Sequence, residues 1–182
     1  MILSHLEGYR HWAGHLLHLR AQQQRSGGFT EFVPLPFVHM EAPLYLKGRT
    51  RKGPSLRETI LMHAVARLVL HPHIRNIQVS WVKVGPRWAQ HCLQAGANDM
   101  GGTLMNESIS RAAGAAHGQE FDVHALEALI RAIDRDPQQR TTLYAPASAE
   151  RQACAKVAAA LQEAVNTPLR ARVRNDSLAT KC

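Results

Sequence analysis

Cysteine is scarce in this sequence. The 182 residues include three cysteines, Cys92, Cys154 and Cys182, which are far apart and odd in number. A disulfide framework is therefore not expected, and widely spaced thiols are typical of proteins from a reducing compartment. The sequence has no CxxC or CxxxCxxC motif, so no local set of thiolates is available to hold zinc or an iron–sulfur cluster.

Long hydrophobic runs are missing as well. No apolar run approaches the roughly 20 residues that a transmembrane helix needs. The first residues, MILSHLEGYRHW, do not resemble a signal peptide, because His5 and Glu7 interrupt the apolar stretch. Hydrophobic residues nevertheless make up 45% of the chain, enough to bury the core of one domain. We expect a soluble, cytoplasmic protein without a membrane partner.

Acidic residues are fewer than basic ones. The chain has 14 Asp and Glu against 22 Lys and Arg, which gives a net charge of +8. A basic balance can indicate binding to nucleic acid. However, the arginines are scattered, aromatic residues make up 5% of the chain, and no RNA-binding motif is present. Nucleic acid is therefore not predicted as a partner.

Strands and helices alternate in the first part of the chain. MILSH predicts a buried strand, and residues 10–25 predict a helix that buries Trp12, Leu16 and Leu19. FTEFVPLPF predicts a second strand that runs into a loop, because Pro34 and Pro36 cannot lie in a central ladder. The loop over 38–54 is long for a compact domain, which is typical of functional or disordered loops.

The next predicted helix begins with a capping box. Ser55 and Glu58 have the spacing at which each side chain satisfies the other's backbone amide. A strand is predicted over 74–84, and Pro86 and Gly96 bracket a short helix. Asp122 caps a further helix closed by Asp136-Pro137, and an Ala-rich helix is predicted over 148–165. The stripe predicted to be buried in the Ser55-capped helix consists of Leu61, Val65 and Leu68.

This alternation predicts an α/β fold with a parallel sheet. Four strands with intervening helices amount to half of a TIM-like (β/α) barrel, in which polar residues at the carboxyl ends of strands carry the chemistry. We predict a half-barrel over residues 1–146, followed by the Ala-rich helix and a basic tail over 147–182.

The most polar candidate site is ANDMGGTLMNES at 97–108. Adjacent Gly101 and Gly102 allow a close backbone approach to a ligand, and Asn98 and Asp99 offer hydrogen-bond donors and acceptors. A tight turn is the alternative. Gln78 and Ser80 share one face of a predicted central strand, where they either satisfy each other or bind a ligand. His11, His15 and His18 have a spacing that can bind metal, but an exposed histidine stripe is favoured.

Four segments carry a resemblance to a known family. They are GGFTEFVPLPFVHMEAPLYL, NIQVSWVKVG, GANDMGGTLMNESISRAAGAAHGQE and QRTTLYAP, in that order. They closely resemble the carboxyl-terminal part of the radical SAM enzymes that make the deazaflavin chromophore Fo, and most closely the tyrosine-using half. The likeness covers roughly residues 1–146.

The resemblance implies a radical SAM barrel, and S-adenosyl-L-methionine and a 4Fe-4S cluster as cofactors. It implies transfer of the 4-hydroxybenzyl group of L-tyrosine to 5-amino-6-(D-ribitylamino)uracil, on the way to coenzyme F-420. A companion radical SAM enzyme would then close the ring. The family's CxxxCxxC motif is absent from this chain. We therefore expect the carboxyl-terminal half of the barrel, inactive without the missing amino-terminal half.

Site residues follow by position in such a barrel. Polar recognition of substrate is assigned to Asn98, Asp99 and Thr103, and the uracil or ribityl groups to Gln78 and Ser80. The tyrosine or nucleoside side is assigned to Glu31 and His39, and cofactor binding to His5 and Glu7. Two alternatives stay open. One is a non-catalytic, truncated fragment, and the other is a radical SAM relative from the futalosine pathway of menaquinone synthesis.

Overall fold

The computed structural model describes residues 1–104, 107–117 and 119–159. The elements, in chain order, are β1 (Ile2–Leu3), α1 (Tyr9–Ser26), β2 (Leu35–Pro36), α2 (Pro43–Leu46), α3 (Leu56–Leu70), α4 (Trp81–Val84), α5 (Pro86–Ala95), α6 (Ile109–Ala112), α7 (Val123–Arg131) and α8 (Ala149–Lys156). None of the helices described is both long enough and apolar enough to cross a membrane.

A small parallel sheet lies at the centre. β1 pairs with β2 in parallel, with Ile2 opposite Leu35. Two isolated parallel bridges continue the same order, Phe32 with Ile77 and Gln78 with Asp99. The chain is thus α/β with parallel strand pairing, as predicted, although only two residues of each named strand form a regular ladder.

The core consists of two clusters, one on each side of residue 78 in the chain. Helices α1 and α3 enclose the first cluster together with Leu3, Phe32 and Ile77. Trp12 and Leu16 are buried in it, and Leu19 packs against it, as predicted for α1. The second cluster joins α4 and α5 to Val79, Ala97 and Met100, and α7 packs against it. The helices therefore pack against the face of the sheet that carries Phe32 and Ile77.

The capping box predicted at Ser55 is confirmed. The Ser55 hydroxyl accepts a hydrogen bond from the Glu58 amide, and Glu58 Oε2 accepts one from the Ser55 amide at 2.8 Å. Of the predicted buried stripe, Val65 is partly buried against the first cluster, but the prediction is wrong at Leu61 and Leu68. Leu68 is 80% exposed and Leu61 39% exposed, because α3 buries the neighbouring face instead. The buried residues of α3 are Thr59, Met62, His63, Ala66 and Leu70.

The strand predicted over 74–84 is too long. Its pairing stops near Val79, and Trp81–Val84 form a helical turn in which the Gly85 amide donates to the Trp81 carbonyl at 2.7 Å. The β-branched residues of this turn are buried in the second cluster. Buried β-branched residues are typical of strands, which is why the sequence predicts a strand here.

Smaller corrections concern loops and helix ends. The predicted loop over 38–54 contains α2, and α7 ends at Arg131 rather than at Asp136-Pro137. Helix α8 ends at Lys156. Residues 160–165 of the predicted Ala-rich helix, and the basic tail that follows, lie outside the described residues.

Candidate functional site

Three polar side chains share the face of the sheet opposite the helices. Side chains alternate between the two faces of a strand, so Glu31 and Gln78 point away from the face of Phe32 and Ile77. Asp99 is the bridge partner of Gln78 and lies beside it. Gln78 Nε2 donates to Glu31 Oε2 and to Asp99 Oδ1, each at 3.2 Å. Gln78 therefore links the two carboxylates.

Arg140 supplies the cation that these carboxylates need. Its Nε donates to Asp99 Oδ2, and its NH2 group donates to Asp99 Oδ1 at 3.0 Å, which makes a two-point contact. The same NH2 group lies 3.7 Å from Glu31 Oε2. The hydrogen bonds to Asp99 raise the pKa of Arg140 above its usual value, so the guanidinium stays charged.

Tyr144 completes the cluster. Its hydroxyl donates to Glu31 Oε2, and the Arg140 guanidinium carbon lies 4.0 Å from the centre of its ring. Burial, followed by the hydrogen bond to Glu31, raises the pKa of Tyr144, so the phenol stays protonated at neutral pH. The backbone of Tyr144 has φ 65°, which is uncommon outside glycine and is typical of functional sites.

A tight loop presents Arg140 and Tyr144 to the sheet. The Thr141 amide donates to the Ala145 carbonyl at 2.8 Å, and the Ala147 amide donates to the Gln139 carbonyl at 3.0 Å. Arg140 and Pro146 form an antiparallel bridge at its base. The loop is therefore fixed by its own hydrogen bonds, and both side chains are held at defined positions.

The glycines of 97–108 also contribute. Gly101 has φ 78°, its amide donates to Asp99 Oδ1 at 2.6 Å, and a Cβ atom on it would lie 3.3 Å from Gln78 Oε1. The backbone angle thus favours glycine, and a side chain at Gly101 would also press on Gln78. The predicted polar turn closes on Asp99 and helps to hold its carboxylate.

Asn98 has a different set of partners. Its Oδ1 accepts from Arg67 at 2.7 Å and from the Ile77 amide at 2.8 Å. Arg67 also donates to the Gly96 carbonyl at 2.9 Å. The Asn98 oxygen thus ties α3 to the strand segments. Its assignment to substrate stays a prediction, and its oxygen is already occupied.

A cavity of about 620 Å³ lies between the 98–103 segment, α7 and the 135–146 segment. Asp99, Thr103, Arg140 and Tyr144 line it on the polar side, and Val123, Leu126 and Ile130 of α7 line it on the apolar side. Pockets of roughly 300–1,000 Å³ with a few convergent polar groups are typical of small-molecule sites. The cavity therefore suits a ligand with one polar end and one apolar end.

The remaining predicted residues lie apart from this cavity. His5 and Glu7 pair with each other at 3.1 Å, and the His5 ring packs against Phe37. His39 lines a second, smaller cavity. Ser80 is buried and precedes the first turn of α4. The structure thus joins Glu31, Gln78 and Asp99 directly. Asn98, Asp99 and Thr103 line the cavity, Glu31 and Gln78 lie behind its wall, and the other four predicted residues lie away from it.

Sequence reasoning missed Arg140 and Tyr144 as site residues. They lie 41 residues from Asp99 and 113 residues from Glu31 respectively. One available signal was the QRTTLYAP segment, which contains both. The other was electrostatic, since two carboxylates on one sheet face require a cation.

Iron–sulfur cluster ligands are not assembled in the part of the chain that the structure describes. No group of three or more His, Cys, Asp or Glu residues there could hold a metal ion. Cys92 is fully buried, and burial raises the pKa of its thiol to about 12, so it is a poor source of thiolate. Cys154 is exposed on α8, and Cys182 lies outside the described residues. The described residues therefore do not fit a cluster.

Comparison with known families gives a match over most of the chain. Residues 26–153 match the family model described as the CofH/MqnC C-terminal region. This range includes the whole of the Glu31–Gln78–Asp99–Arg140–Tyr144 cluster.

Curated relatives match at more than half of the aligned positions. "FO synthase" of Streptomyces coelicolor is 53% identical over 156 residues, which is 86% of this chain and 18% of the relative. "FO synthase" of Mycobacterium tuberculosis is 54% identical over 145 residues, which is 80% of this chain and 17% of the relative. The "5-amino-6-(D-ribitylamino)uracil–L-tyrosine 4-hydroxyphenyl transferase" of Methanopyrus kandleri is 51% identical over 146 residues, 80% of this chain and 40% of the relative. The chain thus spans less than half the length of each.

Proposed function

The chain belongs to the family of the CofH/MqnC C-terminal region, and from this membership we propose that it is the substrate-binding part of an Fo synthase. The whole enzyme would transfer the 4-hydroxybenzyl group of L-tyrosine to 5-amino-6-(D-ribitylamino)uracil, the two compounds named for the Methanopyrus relative. In this proposal the parallel segments belong to a radical SAM barrel, and S-adenosyl-L-methionine and a 4Fe-4S cluster serve the whole enzyme. The cluster would be held by protein outside the described residues.

One observation carries the proposal. The Asp99 carboxylate, the Arg140 guanidinium and the protonated Tyr144 phenol line the polar side of a cavity of about 620 Å³. The Glu31 carboxylate does not line the cavity but accepts a hydrogen bond from the Tyr144 phenol. Both compounds have several hydrogen-bonding groups, and tyrosine and the uracil each have an apolar or planar part that the α7 wall can contact. Arg140 would bind a carboxylate or a ring carbonyl, and Asp99 would accept from hydroxyl or amino groups. In this proposal the Glu31–Gln78–Asp99–Arg140–Tyr144 side chains bind and orient the substrate.

The polar groups are already paired with each other, and this affects how a ligand binds. Asp99 Oδ1 accepts three hydrogen bonds, from Gln78, Gly101 and Arg140. Such a network holds its side chains in a fixed geometry before a ligand binds. Less free energy is therefore spent on immobilising these side chains when the ligand binds. Substrate would therefore bind to the outer edges of the charged groups, and its affinity would depend on the network remaining intact.

A binding experiment tests the substrate assignment. Isothermal titration calorimetry with 5-amino-6-(D-ribitylamino)uracil and with L-tyrosine would compare the wild-type chain with Arg140→Gln and Asp99→Asn. We expect at least one of the two compounds to bind, and each substitution to weaken that binding about tenfold or more. Arg25→Gln is the matched control, because Arg25 lies at the end of α1 and contacts Gln22. Wild-type affinity in both site variants would contradict the assignment.

A chimera tests the activity. Residues 1–146 would replace the matching segment of the Methanopyrus transferase, which supplies the rest of the enzyme. We expect the chimera to consume tyrosine and the uracil together, and the Asp99→Asn chimera to lose most turnover while its iron content is unchanged. Consumption of a different substrate, as in the futalosine pathway, or full turnover by Asp99→Asn, would overturn the proposal.

A further inference from the structure

A second cavity lies beyond the end of β2 and shares no lining residue with the first. Its volume is about 140 Å³. One water molecule needs roughly 10–15 Å³ of such space, and ordinary ligand pockets begin at roughly 300 Å³. The cavity therefore admits a group of a few heavy atoms. One ammonium and two imidazoles line it, those of Lys83, His39 and His117, and none of the described residues in its wall carries a carboxylate.

Lys83 is a half-buried cation that makes no ion pair with the residues the structure describes. Its Nζ donates to the Ser110 hydroxyl at 2.8 Å, and within the described ranges no carboxylate lies within the 4.0 Å of a salt bridge. Glu107 attracts Lys83 from farther away, but both Glu107 oxygens accept from the Ser110 amide at 3.0 Å. Burial lowers the pKa of Lys83, the reverse of what a close counterion produces. A desolvated ammonium of this kind favours an anion beside it.

His39 is arranged to donate a hydrogen bond. The Gly53 amide donates to His39 Nδ1 at 3.3 Å, so in the neutral ring the hydrogen is on Nε2. Burial, together with the nearby charge of Lys52, lowers the pKa of His39 and keeps the ring neutral at pH 7. His39 lines the cavity and therefore carries an N–H donor on Nε2 there.

His117 is held close to the backbone of Gly85. A Cβ atom on Gly85 would lie 2.7 Å from His117 Nδ1, and Gly85 has φ 83°, so glycine is needed for both reasons. Burial lowers the pKa of His117. Gly85 follows Lys83 by two residues, so the short turn of α4 places the ammonium and the imidazole on the same cavity.

We propose that this cavity binds a small oxyanion, a phosphate or carboxylate group, through the Lys83 ammonium and the imidazole N–H groups of His39 and His117. Two aromatic residues, Phe37 and Trp88, also line the cavity. The anionic group therefore belongs to a compact molecule whose apolar part contacts these rings. The site does not depend on the function proposed above, because it uses none of the Glu31–Asp99–Arg140 cluster.

Titration of the full 182-residue chain tests this site. Sodium phosphate and sodium acetate would be added separately at constant ionic strength, with sodium chloride as the reference, and backbone and imidazole NMR shifts would be followed. We expect saturable shifts at His39 and His117 with at least one of the two anions. Phosphate alone would assign a phosphate group to the site, and acetate alone a carboxylate. No saturable shift with either anion would overturn the proposal.

Substitutions distinguish specific binding of an anion at this cavity from non-specific attraction of anions to a basic protein. Lys83→Met should weaken anion binding about tenfold or more, and Lys83→Arg should retain most of it. Lys47→Met removes the same charge at a position that lines neither cavity and should leave binding unchanged. Equal loss in Lys47→Met would show non-specific attraction and would overturn the proposal.

Two further measurements do not depend on substituting Lys83, and the second uses the unmodified chain. Gly85→Ala keeps every charge but displaces His117, so it should weaken anion binding as well. In the unmodified chain, acetic anhydride should modify Lys83 more slowly when the anion is bound, as measured by mass spectrometry. Modification of Lys83 that is unaffected by a saturating anion would contradict the assignment of Lys83.

Discussion

On one face of the parallel segments, Phe32 and Ile77 are buried against α1 and α3. On the other face, Glu31, Gln78 and Asp99 form a charged network with Arg140 and Tyr144. The residues of the two faces alternate along the same strands, one position apart. The apolar face gains stability from burial, whereas the polar face is arranged around charges that must be held and neutralised. Mutations on the first should therefore change mainly stability, and mutations on the second mainly binding.

The largest stability effect is expected on the apolar face. Ile77→Ala removes a fully buried side chain from the first core cluster and should lower the free energy of unfolding by about 2–5 kcal/mol. Leu68→Ala is the control, because Leu68 is 80% exposed. This substitution should change the free energy of unfolding by less than about 0.5 kcal/mol. Urea denaturation followed by circular dichroism measures both. If both substitutions lower the free energy of unfolding equally, the apolar face is not the packed face.

A smaller effect is expected when the charged network is opened. Asp99→Asn leaves Arg140 with a weakened partner and should cost about 1–3 kcal/mol of unfolding free energy. Arg140→Gln should cost a similar amount. The double variant should cost less than the sum of the two, because both single changes break the same contact. Strict additivity in the same denaturation experiment would show that the two residues are not coupled.

Acid should act on the apolar side through His63. This ring is fully buried in α3, and burial lowers the pKa of His63 below its usual 6.5, despite its hydrogen bond with the Thr59 carbonyl. Below about pH 6.5 the unfolded chain binds the proton more readily than the folded chain, so stability falls as the pH is lowered from 7 to 5. His63→Gln should reduce this slope by up to about 1.4 kcal/mol per pH unit. If His63→Gln leaves the dependence of stability on pH unchanged, His63 is not a cause of the loss of stability in acid.

The smallest effect is expected at the edge of the polar network. Tyr144→Phe removes one hydrogen bond to Glu31 but keeps the ring beside the Arg140 guanidinium. It should cost about 0.5–1.5 kcal/mol in the same urea experiment. Tyr144→Ala should cost more, because it removes the ring contact as well. Equal costs would mean that the ring contributes nothing.

Local signals in the sequence predicted several elements correctly. The Ser55–Glu58 capping box, and Pro86 with Gly96 around α5, depend on contacts within a few residues. The predicted buried stripe of α3 was wrong at Leu61 and Leu68, because a hydropathy pattern does not predict that polar Thr59 and His63 are buried. Both are buried because they hydrogen-bond to the preceding turn, Thr59 to the Ser55 carbonyl and His63 to the Thr59 carbonyl.

Local signals in the sequence also predicted part of the candidate site. Alternation along a strand pointed to Gln78, and the polar, glycine-rich stretch at 97–108 pointed to Asp99. Glu31 was predicted from its position in the barrel that the resemblance implies. Arg140 and Tyr144 come from a loop far along the chain, and no periodicity connects that loop to the sheet. The same limit applies to Lys83 and His117, which meet at one cavity because α4 turns where a strand was predicted.

The most direct test of the two-face account is hydrogen–deuterium exchange of the wild-type chain with and without 5-amino-6-(D-ribitylamino)uracil. The account predicts slower exchange on ligand addition in peptides that cover 97–104 and 139–147, and no change in peptides from α1. Slower exchange in α1, with none at 97–104 or 139–147, would place the ligand on the helix-covered side and contradict the account.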